Sequence, residues 1–556
     1  MRSTLPTAIL FFATALSAQR PDSLGITTAE LGARLRFFSS DLFEGRAPGT
    51  RGEKLTTEYL VSELQSFGVN AGATQSGDSA ASWLQPVSIV THAPDSSSRN
   101  EARVSGRVTR ALEHGRDIRL SNSSGRTEVR AGGELIFVGY GIHAPMYGWD
   151  DFAGVDMRGK IAVALFGEPA IAGDTTRFNG VRASRFSWTT DKAAELERRG
   201  AVGVLWIRPA GSISRAPVGG SRRLAPDATN ARLLFTGILT DSAASKLLPA
   251  RSGTFKSVLE SAGRRGFRSF PLGVRLDVDF RTRPRTILSH NVVGVVPGRD
   301  ARLGTEHVVL SAHWDAYGIG APVNGDSIYN GALDDGSGTT ALLALARVFA
   351  KHPQERSLTF LFTTAEEWGL LGAHAFVCDG PLAHERIVAN LNVDDGIELM
   401  GVKRDAAPLG IELSTLGANV AQVAGKMGLR VSPDPYPEEG YFLRADNFPF
   451  ARAGIPALYM GLGTDAVGKP AGFTDAKVKE YLDVHYHRPS DDYDTVVLDL
   501  EGAKQFAEFV RDVTISVANG AERPTWLKGA EFQRPVNKPN GAMTGSRCVL
   551  PDGGSK

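Results

Sequence analysis

The sequence is poor in cysteine, with only Cys378 and Cys548 in 556 residues. Two thiols cannot build a four-ligand zinc site by themselves. A disulfide between them is open in an oxidising compartment, but sequence alone does not show that they meet. Excess charge is lacking too. The 62 Lys and Arg balance 61 Asp and Glu, for a formal net charge of +1. That balance gives no electrostatic reason to expect nucleic acid or an anionic membrane as a partner. Beyond the N-terminus, no run is apolar for long enough to span a bilayer. There are no internal repeats.

The apolar fraction of 42% and charged fraction of 22% fit a soluble globular protein, and the length suggests two to four units. Arg2, the uncharged apolar run Leu5 to Leu16, the small residues Ala13, Ala15, Ser17 and Ala18, and the polar stretch from Gln19 read as an export signal over 1–19. The expectation is a periplasmic or secreted protein with no membrane anchor once the signal is removed.

Residues 28–68 read as helical, with Leu31, Leu35, Phe38, Tyr59, Leu60, Leu64 and Phe67 at helical spacing and a glycine-rich break at 45–52. Residues 71–82 read as a loop. A different texture starts near 126: strands at Glu134–Val138, Lys160–Phe166 and Ala201–Ile207, and a helix at Asp191–Arg199. That stretch, 126–265, holds no cluster of possible metal ligands and reads as a separate lobe. From 285 onward, apolar runs at His307–Ala312, Ser357–Phe362, Ile387–Val393 and Pro456–Met460 alternate with helical segments such as Thr339–Lys351 and Leu500–Val517. Such alternation predicts an α/β domain with a largely parallel sheet. The expected division is 20–125 as the N-terminal part of that domain, 126–265 as the inserted lobe, 266–520 as its main part, and 521–556 as a tail that is poorly ordered or draped on the surface.

The informative feature is where polar residues fall relative to those strands. His313-Trp314-Asp315 follows the first run, Glu366-Glu367 the second, and Asp394-Asp395 the third. Sites in open α/β sheets form outside the carboxyl ends of strands, so three strands deliver His, Asp and Glu to one edge. Each segment alone has a plainer reading: a surface His, a solvated helix start, a turn. Converging carboxylates, however, repel one another and need a compensating charge. Imidazole with carboxylate suits zinc, with manganese or cobalt also compatible. One zinc needs three protein ligands and a water. Asp334 and Asp335 before the Thr339 helix, and His487 late in the chain, exceed that need. A pair of metals sharing a carboxylate would use the surplus.

The chain resembles the co-catalytic zinc exopeptidases of clan MH, the family of bacterial leucyl aminopeptidases and of glutamate carboxypeptidase. The matching segments are Ser311-Ala312-His313-Trp314-Asp315, Gly331 to Gly338, Ala365-Glu366-Glu367-Trp368-Gly369-Leu370-Leu371-Gly372, Asn392-Val393-Asp394, and Tyr486-His487 with Asp491 nearby. The inserted lobe is similar to a protease-associated domain, through Phe137-Val138-Gly139-Tyr140-Gly141, Gly159-Lys160-Ile161-Ala162-Val163 and Gly200-Ala201-Val202-Gly203-Val204. The resemblance implies a zinc-exopeptidase fold and two zinc ions. Asp334 would bridge them, with His313 and Asp394 completing one and Glu367 and His487 the other. It also implies that Glu366 is the general base acting on a metal-bridging hydroxide, that Asp315 orients His313, and that the peptide bond from Asp334 to Asp335 is cis. Tyr486 is a candidate to hold the oxyanion, and His485 competes with His487 as ligand. Ala445-Asp446-Asn447 and Ala316 depart from the family pattern without removing a ligand, which leaves substrate preference open.

The expected activity is an aminopeptidase acting on peptide substrates. A glutamate carboxypeptidase-like enzyme is the alternative; it would need basic residues in the pocket, for which Arg444, Arg452 and Arg488 are candidates. A glutaminyl cyclase is disfavoured by the inserted lobe. An inactive binding protein of the transferrin-receptor type is disfavoured because all five ligands and the base are present.

Overall fold

A computed structural model of the chain describes residues 25–73, 82–95, 100–169, 178, 180, 182–208, 222–224, 233–394, 396–497 and 499–532. The expected export signal at 1–19, Asp395 and Cys548 lie outside these residues.

The apolar runs form a central sheet. Its main strands are β1 (Leu84–Pro94), β2 (Phe270–Val296), β3 (His307–His313), β4 (Ser357–Thr363), β5 (Ile387–Val393) and β6 (Ala457–Met460). They stand side by side as β6-β5-β3-β4-β2-β1. Strands β3 to β6 are mutually parallel, while β2 runs antiparallel to β4 and β1 antiparallel to β2. Both faces are covered, and this is why the runs are continuously apolar rather than alternating. Val308, Leu310, Leu358 and Phe360 face one core, and Val309 and Leu361 the other.

The first core is closed by helices α1 (Thr28–Phe38), α2 (Arg51–Phe67), α3 (Ser337–Lys351) and α5 (Leu500–Ala518), and the second by α4 (Leu371–Asp379) with the short helix Asn447–Arg452. Helix α3 is buried at nearly every position from Ser337 to Phe349, as expected of a helix with apolar residues all round. Helix α1 starts where the Thr27 side chain accepts from the amide of Glu30 at 3.1 Å. Helix α2 stops at Gly68, whose φ of +82° lets the amides of Gly68 and Val69 bond back to Gln65 and Leu64.

The inserted lobe is wider than expected. Glu101–Gly106 and Ile118–Asn122, both before residue 126, pair inside its sheet, and so does β2 as far as Arg281. Its core joins Leu135, Ile161, Val163 and Leu205 to Leu276 and Val278 of β2. One 27-residue strand therefore belongs to both sheets, and the boundary expected at 265 is not a break between them. The tail is also better packed than expected as far as it is described. Phe532 is buried against Trp526 and Phe448, at 5.4 and 6.1 Å between ring centroids.

Candidate metal centre

Strand direction brings the site together. His313 ends β3, and β4 ends at Thr363, two residues before Ala365 turns the chain with φ +53°. Glu366 and Glu367 follow that turn, and Asp394 follows β5. From β3 the chain passes to β4 on one side, and from β4 to β5 on the other side of β3. The point where connections diverge in an open α/β sheet is where a crevice forms. Asp334 and Asp335 sit just before α3, and the bond between them is cis. His487 comes from the link between the helices Phe473–Val484 and Tyr493–Val496, with φ +59°.

The side chains fall into two groups, each with ligand-type atoms within 4.8 Å of one another: His313, Asp335 and Asp394; and Asp334, Glu367 and His487. Asp334 touches both. Its Oδ1 lies 3.1 Å from His313 Nε2 and its Oδ2 lies 3.2 Å from His487 Nε2. Glu367 Oε2 is 3.2 Å from His487 Nε2, and Asp394 Oδ1 is 3.8 Å from His313 Nε2. Asp335 is placed differently. Its two oxygens accept the amides of His313 and Gly338, each at 3.0 Å, which ties it to the main chain.

The remaining predicted residues lie around these groups. Asp315 meets His313 Nδ1 through its main-chain oxygen at 3.0 Å, while its carboxylate is 3.7 Å away and accepts the amide of Glu366 at 3.1 Å. It thus links the His313 and Glu366 segments. The Tyr486 ring stacks on His487 at 3.6 Å, and its hydroxyl accepts from Arg444. His485 turns its Nδ1 to Ser490 at 3.1 Å. Asp491 accepts the amides of Leu333 and Asp334 and the hydroxyl of Tyr481, so it fixes the turn that carries Asp334.

Two contributors escape the sequence reading. Tyr317 donates to Glu367 Oε2 at 2.6 Å and lies 3.0 Å from His487 Nδ1; its one signal is its place two residues after Asp315. Arg46 is fully buried, and three of its four partners lie 268 or more residues further along the chain. Its guanidinium donates to the main-chain oxygens of Trp314 (2.7 Å), Gly331 (2.8 Å), Phe38 (3.2 Å) and Asn330. Distance in sequence hides such a contact.

The group is electrostatically uncompensated. Burial pushes the Asp394 and Glu366 carboxyls well above the usual carboxylate range, and neighbouring carboxylates add to it against the relief from His313. Burial opposes the Asp334 charge as well, but hydrogen bonds from both imidazoles outweigh it and hold that group below its ordinary range. Burial would lower both imidazoles; the surrounding carboxylates instead raise His487 to about 9 and His313 well above 6.5. Histidine nitrogens and carboxylate oxygens, gathered in two joined sets with surplus negative charge, fit divalent zinc. In front of them opens a cleft lined by His313, Asp334, Glu366 and Asp394, with an apolar wall that includes Ile397 and Leu462.

Residues 291–514 match the model of peptidase family M28, so the resemblance to the clan MH exopeptidases holds over that segment. Among curated proteins, a vacuolar membrane protease of Eremothecium gossypii is 39% identical over 88 residues, 16% of this chain and 8% of that protein. A probable leucine aminopeptidase 2 of Aspergillus oryzae is 34% identical over 106 residues, 19% of this chain and 18% of that protein. The chain therefore spans less than a fifth of the length of these relatives. Among solved structures, an aminopeptidase from Aneurinibacillus sp. strain AM-1 superposes with a TM-score of 0.50 at 19% identity, over 89% of this chain and 95% of that one. The fold is that of this aminopeptidase. The expectation of a periplasmic or secreted protein is corrected by the curated relatives, several of which are vacuolar membrane proteases. Among the described residues no helix is long and apolar enough to cross a membrane.

Proposed function

We propose that this chain is a zinc-dependent exopeptidase with two metals, most simply an aminopeptidase. His313, Asp334 and Asp394 would hold one zinc, and Asp334, Glu367 and His487 the other. The observation that carries this is Asp334, whose two oxygens each reach a different histidine of a different carboxylate set. Zinc ions so placed would polarise the scissile carbonyl and bring the pKa of a bound water to about 7. Glu366 lines the cleft and would take the proton of the attacking water and return it to the leaving amine. Asp315 holds the Glu366 amide and the His313 ring together. Tyr486 would face the substrate oxygen from its stack on His487. The second lobe is read as a protease-associated module.

A panel of aminoacyl and C-terminally acidic reporters, with chelator and then with zinc, tests the reading. Hydrolysis of the aminoacyl reporters that chelator abolishes and zinc restores supports it. A protein that binds no zinc and hydrolyses neither class is not an enzyme of this kind.

A further inference from the structure

The turn between β4 and α4 carries Glu366 and Glu367, and its backbone is strained. Ala365 and Leu370 have φ of +53° and +62°, and Gly369 between them has +107°. A residue with a side chain adopts such a conformation only at a cost, and it persists only where the surroundings hold it. Part of the hold is local, since the amides of Gly369 and Leu370 both reach the Glu366 main-chain oxygen at 2.8 Å. Another part comes from the inserted lobe. We propose that the three-residue strand Arg222–Leu224 is a clamp by which the lobe positions the two glutamates, with Arg222 acting through Trp368 and Leu224 through the apolar cluster around Ala365.

This strand pairs antiparallel with β1, as a further edge strand of the central sheet. Arg222 stands opposite Thr91, Arg223 opposite Val90 and Leu224 opposite Ile89. Side chains alternate along a strand, so Arg222 and Leu224 share one face and Arg223 takes the other. Leu224 packs on Val87, Ile89, Ala365, Leu371 and Ala375, a cluster that joins β1, the strained turn and the start of α4. The Arg222 guanidinium lies over the Trp368 ring, 4.3 Å from its centre. Trp368 follows Glu367 in the chain, and its amide bonds back to the Ala365 oxygen at 3.3 Å. Arg223, on the other face, donates to the Ser123 oxygen at 2.7 Å, beside the lobe strand Ile118–Asn122. The middle residue thus fastens the strand to the lobe, and the two outer ones fasten it to the glutamate turn.

A cation over an indole is the strongest contact of its kind, and among the described residues no hydrogen bond or ion pair of the guanidinium competes with it. The same side chain faces the metal centre: burial lowers its pKa, and Tyr317, Asp315 and Glu367 work against that. Neither Arg222 nor Leu224 nor Trp368 is among the residues lining the cleft. Loss of the clamp should therefore disturb where the glutamates stand, and so turnover and zinc retention, while substrate binding is spared.

The roles of the glutamates rest on the exopeptidase reading, whereas the clamp rests on geometry, so the readouts are kept apart. Amide hydrogen exchange over 365–372 in the zinc-free full chain reports the clamp without metal or catalysis. Arg222→Gln should speed that exchange by about 2- to 30-fold, the span of one cation–π contact, and leave β3 unchanged. Arg222→Lys keeps a cation over the ring and should restore most of the protection. With zinc, Arg222→Gln should lower kcat by a similar factor with KM within about twofold, and should weaken zinc binding in a chelator competition. Trp368→Leu should act in the same way, and Arg222→Gln added to it should do no further harm. Exchange that Arg222→Gln leaves unchanged, or two substitutions whose effects multiply, overturns the proposal. A raised KM with kcat intact overturns it too, since that marks Arg222 as a substrate contact. If the exchange responds but the zinc-loaded chain hydrolyses no aminoacyl reporter, the clamp stands and the peptidase reading falls.

Discussion

Replacing Arg46 by methionine keeps most of the stem and removes the fork. The guanidinium serves four buried main-chain oxygens, those of Phe38, Trp314, Asn330 and Gly331. It also faces Asp491, Asp315, Asp335 and Asp334, whose charges offset the burial that brings its pKa down to about 10; it is thus charged at neutral pH. Each hydrogen bond to a charged donor contributes about 1.5–3 kcal/mol, and an orphaned buried acceptor costs a similar amount. The desolvation of the arginine offsets part of that sum. The expected net loss is that of breaking a buried ionic contact, about 3–5 kcal/mol, a large share of the ~5–15 kcal/mol of a native protein. Three of the four oxygens flank the proposed ligands: Trp314 follows His313, and Asn330 and Gly331 lead to Asp334. Metal retention should therefore fall along with stability. Arg46→Lys, with three donors on a point charge rather than a planar fork, should restore only part of both. Urea unfolding of the zinc-loaded and chelator-treated proteins, with zinc counted per chain, measures this. An Arg46→Met protein within ~1 kcal/mol of the parent and with full zinc would refute the reasoning.

Glu366→Ala should cut turnover by about 10²–10⁴ while zinc per chain stays unchanged; near-full activity in a steady-state assay would remove Glu366 as the base. Asp334→Ala should lose zinc as well as activity, read by elemental analysis, since its carboxylate reaches both imidazoles. His307 lies at the opposite end of β3, buried, with Nδ1 2.9 Å from Thr359 Oγ1, and burial with help from Arg386 lowers it to about 4. The unfolded chain takes up this proton near pH 6.5 and the folded chain only near 4, so its stabilising share is present above 6.5 and is lost as pH falls through that window. At about 1.4 kcal/mol per unit the loss is about 3 kcal/mol, and urea midpoints between pH 7 and 4 should fall less steeply in His307→Gln.

The α/β half of the fold was legible because its strands are buried on both faces and its candidate ligands sit at strand ends, so that local pattern and global position agree. The lobe boundaries were not. In β2, Leu272, Val274, Leu276, Val278 and Phe280 are buried and alternate with polar residues, a plain strand signal. A boundary drawn at 265 treats that signal as the start of another domain, and only strand pairing reveals that one strand serves two sheets. Arg46 was illegible for another reason: its partners are main-chain oxygens, which every residue type supplies. Tyr317 had only proximity to Asp315 to mark it, because a hydroxyl bonded to a ligand leaves no spacing rule behind.

The adjacent glutamates pose the question that sequence spacing could not decide, since neighbours in a loop have no fixed facing. Ala365 ends the extended run of β4 with a left-handed φ, and the next two side chains diverge. Glu367 lies against His487 at 3.2 Å and receives the Tyr317 hydroxyl, so it is held in place among ligand atoms. Glu366 lines the open cleft with its amide held by Asp315, and its carboxyl is pushed up by burial and by Glu367 beside it. A ligand needs a fixed oxygen with its remaining lone pairs satisfied, whereas a base needs access to the substrate and a proton affinity raised toward neutrality. The proposed roles, ligand for Glu367 and base for Glu366, would meet these opposite demands because one backbone turn sends the two neighbours to different sides of the same group of charges.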